Sequence, residues 1–270
     1  MREIRVPRPI VESIRRSVPG QLSAGDYGIA STTTGLIDFI EALEAAGVSD
    51  VSDYSLPHSV PFQLSGTVAD ALLAPTRTLA DVGWAAFRID VSWSAVPKRN
   101  EEIRARTQAE HVSTNLVRFS TVAKCRGTTC AVGRIQYVRV MKGVNLATNS
   151  MISESAKVEQ QHSGDLDSRY YSPFLMRLLM NPILGGSEPL GRRLHPLGTV
   201  PLAAAVFQAR RQDPGLVVLS ATMRYLAPLA NYGGFTTRTQ RKRANSVEVS
   251  MTNAEGLRFV VCRLWLRLSV

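Results

Sequence analysis

The chain has 270 residues, 44% of them apolar, and a formal net charge of +10 from 32 basic and 22 acidic side chains. That is apolar material for one or two cores, and no stretch approaches the ~20 apolar residues of a membrane span. Three cysteines are too few for a disulfide framework and suit a reducing cytosol, while the basic excess favours acidic partners.

Residues 1–20 carry arginines throughout and no apolar core run, which excludes a signal peptide from that stretch. An edge strand is expected at 2–6. Thr32 to Thr34 offer N-cap hydroxyls to a helix bearing Leu36, Ile37, Ile40 and Leu43, closed by Gly47. Residues 48–63 read as a loop broken by Pro57 and Pro61. A second helix is predicted to open at Ser65-Gly66 and run towards Ala80, with Pro75 kinking or ending it. Strands are predicted at 85–94, 102–111, 115–124 and 129–140. Cys125 and Cys130 have no second ligand pair nearby, which argues against zinc. Residues 142–168 turn polar and lose apolar periodicity, as a connection does. Ser172-Pro173 starts another helix. One more helix follows at 199–211, then strands at 217–226, 234–243, 246–252 and 259–268, the last two joined by a turn at Asn253-Ala254-Glu255-Gly256.

The second half repeats the first. Under a shift of 132 positions (198 − 66), Gly66-Thr67-Val68 falls on Gly198-Thr199-Val200, and Asp81 and Gly83 fall on Asp213 and Gly215. Arg106-Thr107-Gln108 falls on Arg238-Thr239-Gln240 without a gap. Where identity lapses, alternation persists: Phe87, Ile89, Val91 and Trp93 fall on Leu219, Ala221, Met223 and Tyr225. Each copy therefore carries a strand with one buried face. The chain reads as a tandem duplication, with units at 1–145 and 169–270 joined by a linker at 146–168.

A helix opened by a Gly-bearing turn and followed by a meander of long strands resembles the hot-dog fold, in which the sheet wraps the helix. Met223-Arg224-Tyr225-Leu226-Ala227-Pro228-Leu229 looks like that fold's proline-ended strand. The tandem copy resembles the double hot-dog arrangement of type II acyl-CoA thioesterases and some dehydratases. The resemblance covers roughly 60–140 and 195–270. It implies an α+β fold of two units, each a central helix wrapped by an antiparallel β-sheet, joined edge to edge so that two exposed edges are removed. It further implies an acyl tunnel between the units, a coenzyme A or phosphopantetheine thioester as substrate and no separate cofactor. The implied partners are acyl-CoA or an acyl-carrier protein, in the cytoplasm, with homodimerisation left open.

Function has to come from site residues. Asp70 lies on the repeated helix where the second copy has Leu202. Thioesterases of this fold place an acid on this helix to activate water, about two turns further on, where this chain has Ala74 and Val206. The plainer account makes Asp70 a first-turn carboxylate complementing the helix dipole. Gln136, on the last strand of the first copy, resembles the glutamine that positions water in type II acyl-CoA thioesterases. Its register against the second copy is open by one residue, which would flip its face. The family's polar residues on the strand after the helix have only Asp90 and Ser220 as nearest counterparts. His195 and His58 precede the repeated helices, as in hot-dog dehydratases, at unequal spacing; the plainer account is a loop histidine. Arg241-Lys242-Arg243 is the densest basic cluster, a solvated turn or a site for nucleotide phosphates or an acidic carrier. No aromatic residues interleave it, which argues against a nucleic-acid groove. A dehydratase or isomerase using His195 or His58, and a binding protein without catalysis, stand beside the thioesterase as alternatives.

Overall fold

The alternating segments form strands that close into a single sheet. The computed structural model describes residues 10–32, 56–76, 82–97, 101–141, 167–171, 205–206, 209, 216–226, 235–253 and 256–268. Eleven strands lie in these residues: β1 (Ile10–Arg15), β2 (Tyr27–Thr32), β3 (Val82–Trp93), β4 (Ile103–Val112), β5 (Leu116–Cys125), β6 (Thr128–Met141), β7 (Asp167–Tyr171), β8 (Leu216–Tyr225), β9 (Phe235–Arg243), β10 (Ser246–Asn253) and β11 (Arg258–Leu268). Their order is β1-β2-β4-β5-β6-β3-β8-β11-β10-β9-β7. The order is palindromic about the β3–β8 seam, since β4-β5-β6-β3 is answered by β8-β11-β10-β9. Strands β2 and β7 then occupy equivalent outer places. The fold is α+β with one long antiparallel sheet, as the repeat requires.

The helix α1 runs Leu56–Leu73, followed by a tight 3-10 turn at Ala74–Thr76. It begins ten residues earlier than the sequence suggests, so Gly66 lies inside it rather than opening it. Pro57 falls in the first turn, where its missing N–H is an orphan anyway. Pro61 is inside the helix and forfeits one ladder hydrogen bond. Burial outweighs that loss: Val60, Phe62, Leu64, Val68, Ala69, Leu72 and Leu73 are all within 2% of complete burial. The C-terminal carbonyls are capped from outside the helix. Thr76 Oγ1 donates to Leu73 O at 2.7 Å, and Arg16 Nη2 donates to Ala71 O at 2.7 Å.

Helix α1 crosses the inner face of the sheet obliquely. Phe62 packs edge-on to Trp93 of β3, and a Cβ on Gly133 of β6 would sit 2.8 Å from its ring. Further on, Val68 lies over Gly28 of β2, and Arg16 beyond β1 reaches the helix end. The amino end of α1 is therefore beside the seam and its carboxyl end beside the outer strands. In the second copy Ala205, Val206 and Ala209 are helical and buried. The strand at 2–6, the helices at 36–47 and from Ser172, and Gly198 lie outside the described residues. Strands β1, β2 and β7 were not foreseen.

Candidate functional site

Sheet geometry decides which candidates can meet. On β6, Gly133, Ile135 and Tyr137 face α1, so Gln136 points to the opposite face. There it is opposite Arg88 of β3 on one side and Arg118 of β5 on the other. Asp70 is on α1, on the inner side. The structure thus separates Asp70 from Gln136 by the thickness of the sheet. Asp70 is half-buried and already engaged by a neighbouring group. It also sits in the last turn of α1, not the first, where a carboxylate meets the negative end of the dipole. The N-terminal dipole account of this residue is therefore corrected.

Arg241, Lys242 and Arg243 end β9 and are exposed, immediately before the two-residue turn at Ala244-Asn245. Lys242 Nζ donates to Gln240 Oε1 at 2.6 Å and lies 3.6 Å from Glu248 Oε1. Eight strand spacings separate β9 from β2, about 38 Å measured along the sheet. The cluster and Asp70 are at opposite ends of the sheet. His195 lies outside the described residues. His58 is in the first turn of α1 rather than in a preceding loop. It is one turn before Phe62, at the seam end of the helix.

The seam holds what was not anticipated. Strands β3 and β8 pair over five residues, from Arg88↔Arg224 to Ser92↔Ser220. In its centre Asp90 is opposite Thr222, its own counterpart under the 132-residue shift. Arg88 grips Asp90 through Nε to Oδ2 at 2.7 Å and Nη2 to Oδ1 at 2.9 Å, and the Thr222 hydroxyl donates to Oδ1 at 2.8 Å. Both ends of the seam are closed by a β-bulge, at Phe87 and at its counterpart Leu219. The extra residue turns these side chains outward, 43% and 38% exposed, although alternation assigned them to the core. Over the seam, on the face away from α1, lies an open trough of about 700 Å³. Asp90, Ser120, Arg134, Thr222 and Trp265 are among its walls.

A second polar cluster is buried inside. Ser65 of α1, Thr107 of β4 and Thr121 of β5 exchange hydrogen bonds in a closed ring of hydroxyls. Thr107 Oγ1 is 3.1 Å from each of the other two oxygens, and Ser65 and Thr121 bond to one another. Thr107 is the middle residue of the repeated Arg106-Thr107-Gln108 motif. It is fully buried against the helix, and only its neighbours Arg106 and Gln108 face outward.

Comparison with solved structures agrees with this architecture. HtdX of Mycobacterium tuberculosis matches with a TM-score of 0.58 at 11% identity, over 95% of this chain and 99% of that one. A MaoC-like dehydratase from Phytophthora capsici matches at 0.55 and 12%, over 92% and 97%. The 12:0-ACP thioesterase from Umbellularia californica matches at 0.51 and 12%, over 97% and 98%. No family model matches the sequence, and a search of curated proteins finds no match. The chain has the double hot-dog fold shared by such thioesterases and dehydratases. No described helix is long and apolar enough to cross a membrane.

Proposed function

We propose that the protein hydrolyses an acyl thioester of coenzyme A or an acyl-carrier protein, with the acyl chain lodged between units divided at residues 146–168. The observation that carries this reading is Asp70, the single carboxylate on α1, half-buried on the helix side of the sheet. A carboxylate there can take a proton from water as the water attacks the thioester carbonyl, releasing the acid and the thiol. Gln136, on the far face, has no part in that step. Arg241, Lys242 and Arg243 serve at most as a docking surface for an acidic carrier. Dehydration of a hydroxyacyl thioester is the second reading, supported by His58 at the seam end of α1. An acyl-CoA panel scored for thiol release, beside an enoyl-CoA panel scored for loss of the conjugated double bond, separates the two. Hydrolysis that needs Asp70 but tolerates His58→Ala upholds the first, and the reverse dependence in hydration upholds the second. Acyl-CoA binding without turnover in either assay leaves a ligand-binding protein.

A further inference from the structure

The face away from α1 carries more guanidinium groups than its carboxylates can neutralise. Asp90 is gripped by Arg88. Glu110 pairs with Arg134 at 3.2 Å, Glu248 with Arg263 at 2.8 Å, and Glu12 with Arg104 at 2.6 Å. Arg106 is placed over the Tyr27 ring, 4.1 Å from its centroid. Two arginines at the centre are left over. Among the described residues, Arg224 is exposed with no partner and Arg118 has its Nε buried without an acceptor.

These two belong to one row across four adjacent strands. The register runs Arg118↔Gln136, Gln136↔Arg88 and Arg88↔Arg224, through β5, β6, β3 and β8. Buried residues on either side of Arg118, Gln136 and Arg224, and buried Ile89 beside Arg88, set all four side chains on the same outer face. Arg88 and Arg224 are directly opposite, a like-charge cross-strand pair that is unfavourable unless something neutralises it. Asp90 answers Arg88 only. The row spans three strand spacings, about 14 Å, so the long side chains of Arg118 and Arg224 can converge above Gln136 and Arg88. A guanidinium fork matches phosphate oxygens bidentately, and the Gln136 amide adds a neutral donor.

We propose that Arg118, Gln136, Arg88 and Arg224 bind the phosphate of an organic phosphate ester whose remaining body lies in the adjoining trough. The trough begins two residue pairs along the same strands, at Asp90 and Thr222, and offers hydroxyls, an amide and the Trp265 ring to that body. This site is separate from the thioester chemistry, being on the opposite face from Asp70.

The test uses the full chain, with inorganic phosphate, adenosine monophosphate and adenosine as probes and the thermal midpoint and calorimetric titration as readouts. Phosphate should stabilise the protein saturably, and the monophosphate should bind at least tenfold more tightly than phosphate, while adenosine should not bind. Arg224→Gln should abolish the stabilisation by phosphate while leaving the ligand-free midpoint unchanged or higher, because it removes a repulsion. Arg118→Gln should weaken binding at least tenfold, and Arg139→Gln, further along β6, should not. Phosphate stabilisation that persists in Arg224→Gln, or that chloride of equal ionic strength reproduces, overturns the site. Monophosphate binding no tighter than phosphate overturns the organic-ester assignment and leaves a free-phosphate site.

Discussion

The Thr222 hydroxyl donates to the Asp90 carboxylate at 2.8 Å, and the two residues stand exactly one repeat apart, at a separation of 132. Each is the other's counterpart, so this bond marks the pseudo-two-fold axis relating the two halves of the sheet. Equivalent positions in a duplicated domain meet face to face only on such an axis. Across the axis one side supplies the acceptor and the other the donor.

The seam is only five residue pairs long, so its side chains matter to how the halves hold together. Asp90→Asn removes the charge that Arg88 grips and leaves Arg88 facing Arg224. With both partners about a third exposed, the expected cost is about 1–2 kcal/mol in denaturant titration. A double-mutant cycle of Asp90→Asn with Thr222→Val should return a coupling of at least about 0.5 kcal/mol. Additive effects would mean that the two halves are held by backbone pairing alone.

The hydroxyl ring and its remnant in the second copy make a paired prediction. Thr107→Val leaves Ser65 and Thr121 short of a partner in a dry interior, at a cost of about 1–3 kcal/mol. Thr239, the repeat counterpart of Thr107, is also fully buried, but its Oγ1 has no hydrogen-bond partner among the described residues. Its cross-strand neighbour is Val249, where the first copy has Thr121. Thr239→Val should therefore be neutral or stabilise by up to about 1 kcal/mol. Equal losses in both variants would refute this account of the pair.

Much of the sheet was legible because period-2 alternation and an ungapped repeat are local signals. All eight long strands lie within three residues of their expected ends. What failed needed tertiary information. The start of α1 was hidden because Pro57 and Pro61 resemble breakers until burial is known. Phe87 and Leu219 were misassigned because a bulge inverts a side chain without leaving a mark in the alternation. The face of Gln136 could not be fixed without the register of β6. Asp90 and Thr222 were aligned with each other in the repeat, but only strand pairing reveals that aligned residues touch.

Acid should weaken the fold through Asp26, a buried carboxylate between β1 and β2. Burial by itself would raise its pKa. Hydrogen bonds from the Ser17 hydroxyl and amide and from the Ser23 amide outweigh it and hold the group below its ordinary value. A depressed folded-state pKa gives stability that is fully present above the unfolded value of ~3.9 and lost as pH falls through the lowered folded value. Thermal midpoints should therefore fall more steeply below about pH 4 in the parent than in Asp26→Asn. Parallel curves would show that the carboxyl charge is not what holds this turn.

The placement of Asp70 turns its substitution into a test with two independent readouts. At the carboxyl end of α1 a negative charge opposes the helix dipole, so removing it should return about 0.3–1 kcal/mol. Asp70→Asn also weakens the interaction the side chain already makes, which acts in the other direction. The two effects oppose one another, and the net change in stability should stay within about 1 kcal/mol. If Asp70 is the general base, the same variant should lose at least a hundredfold in thioester turnover, because an amide cannot take the proton from water. The fall should appear in kcat with KM little changed, since Asp70 acts on water rather than on the acyl group. Full turnover in a well-folded Asp70→Asn protein would remove the carboxylate from the chemistry and leave His58 as the titratable group on α1 to be tested next.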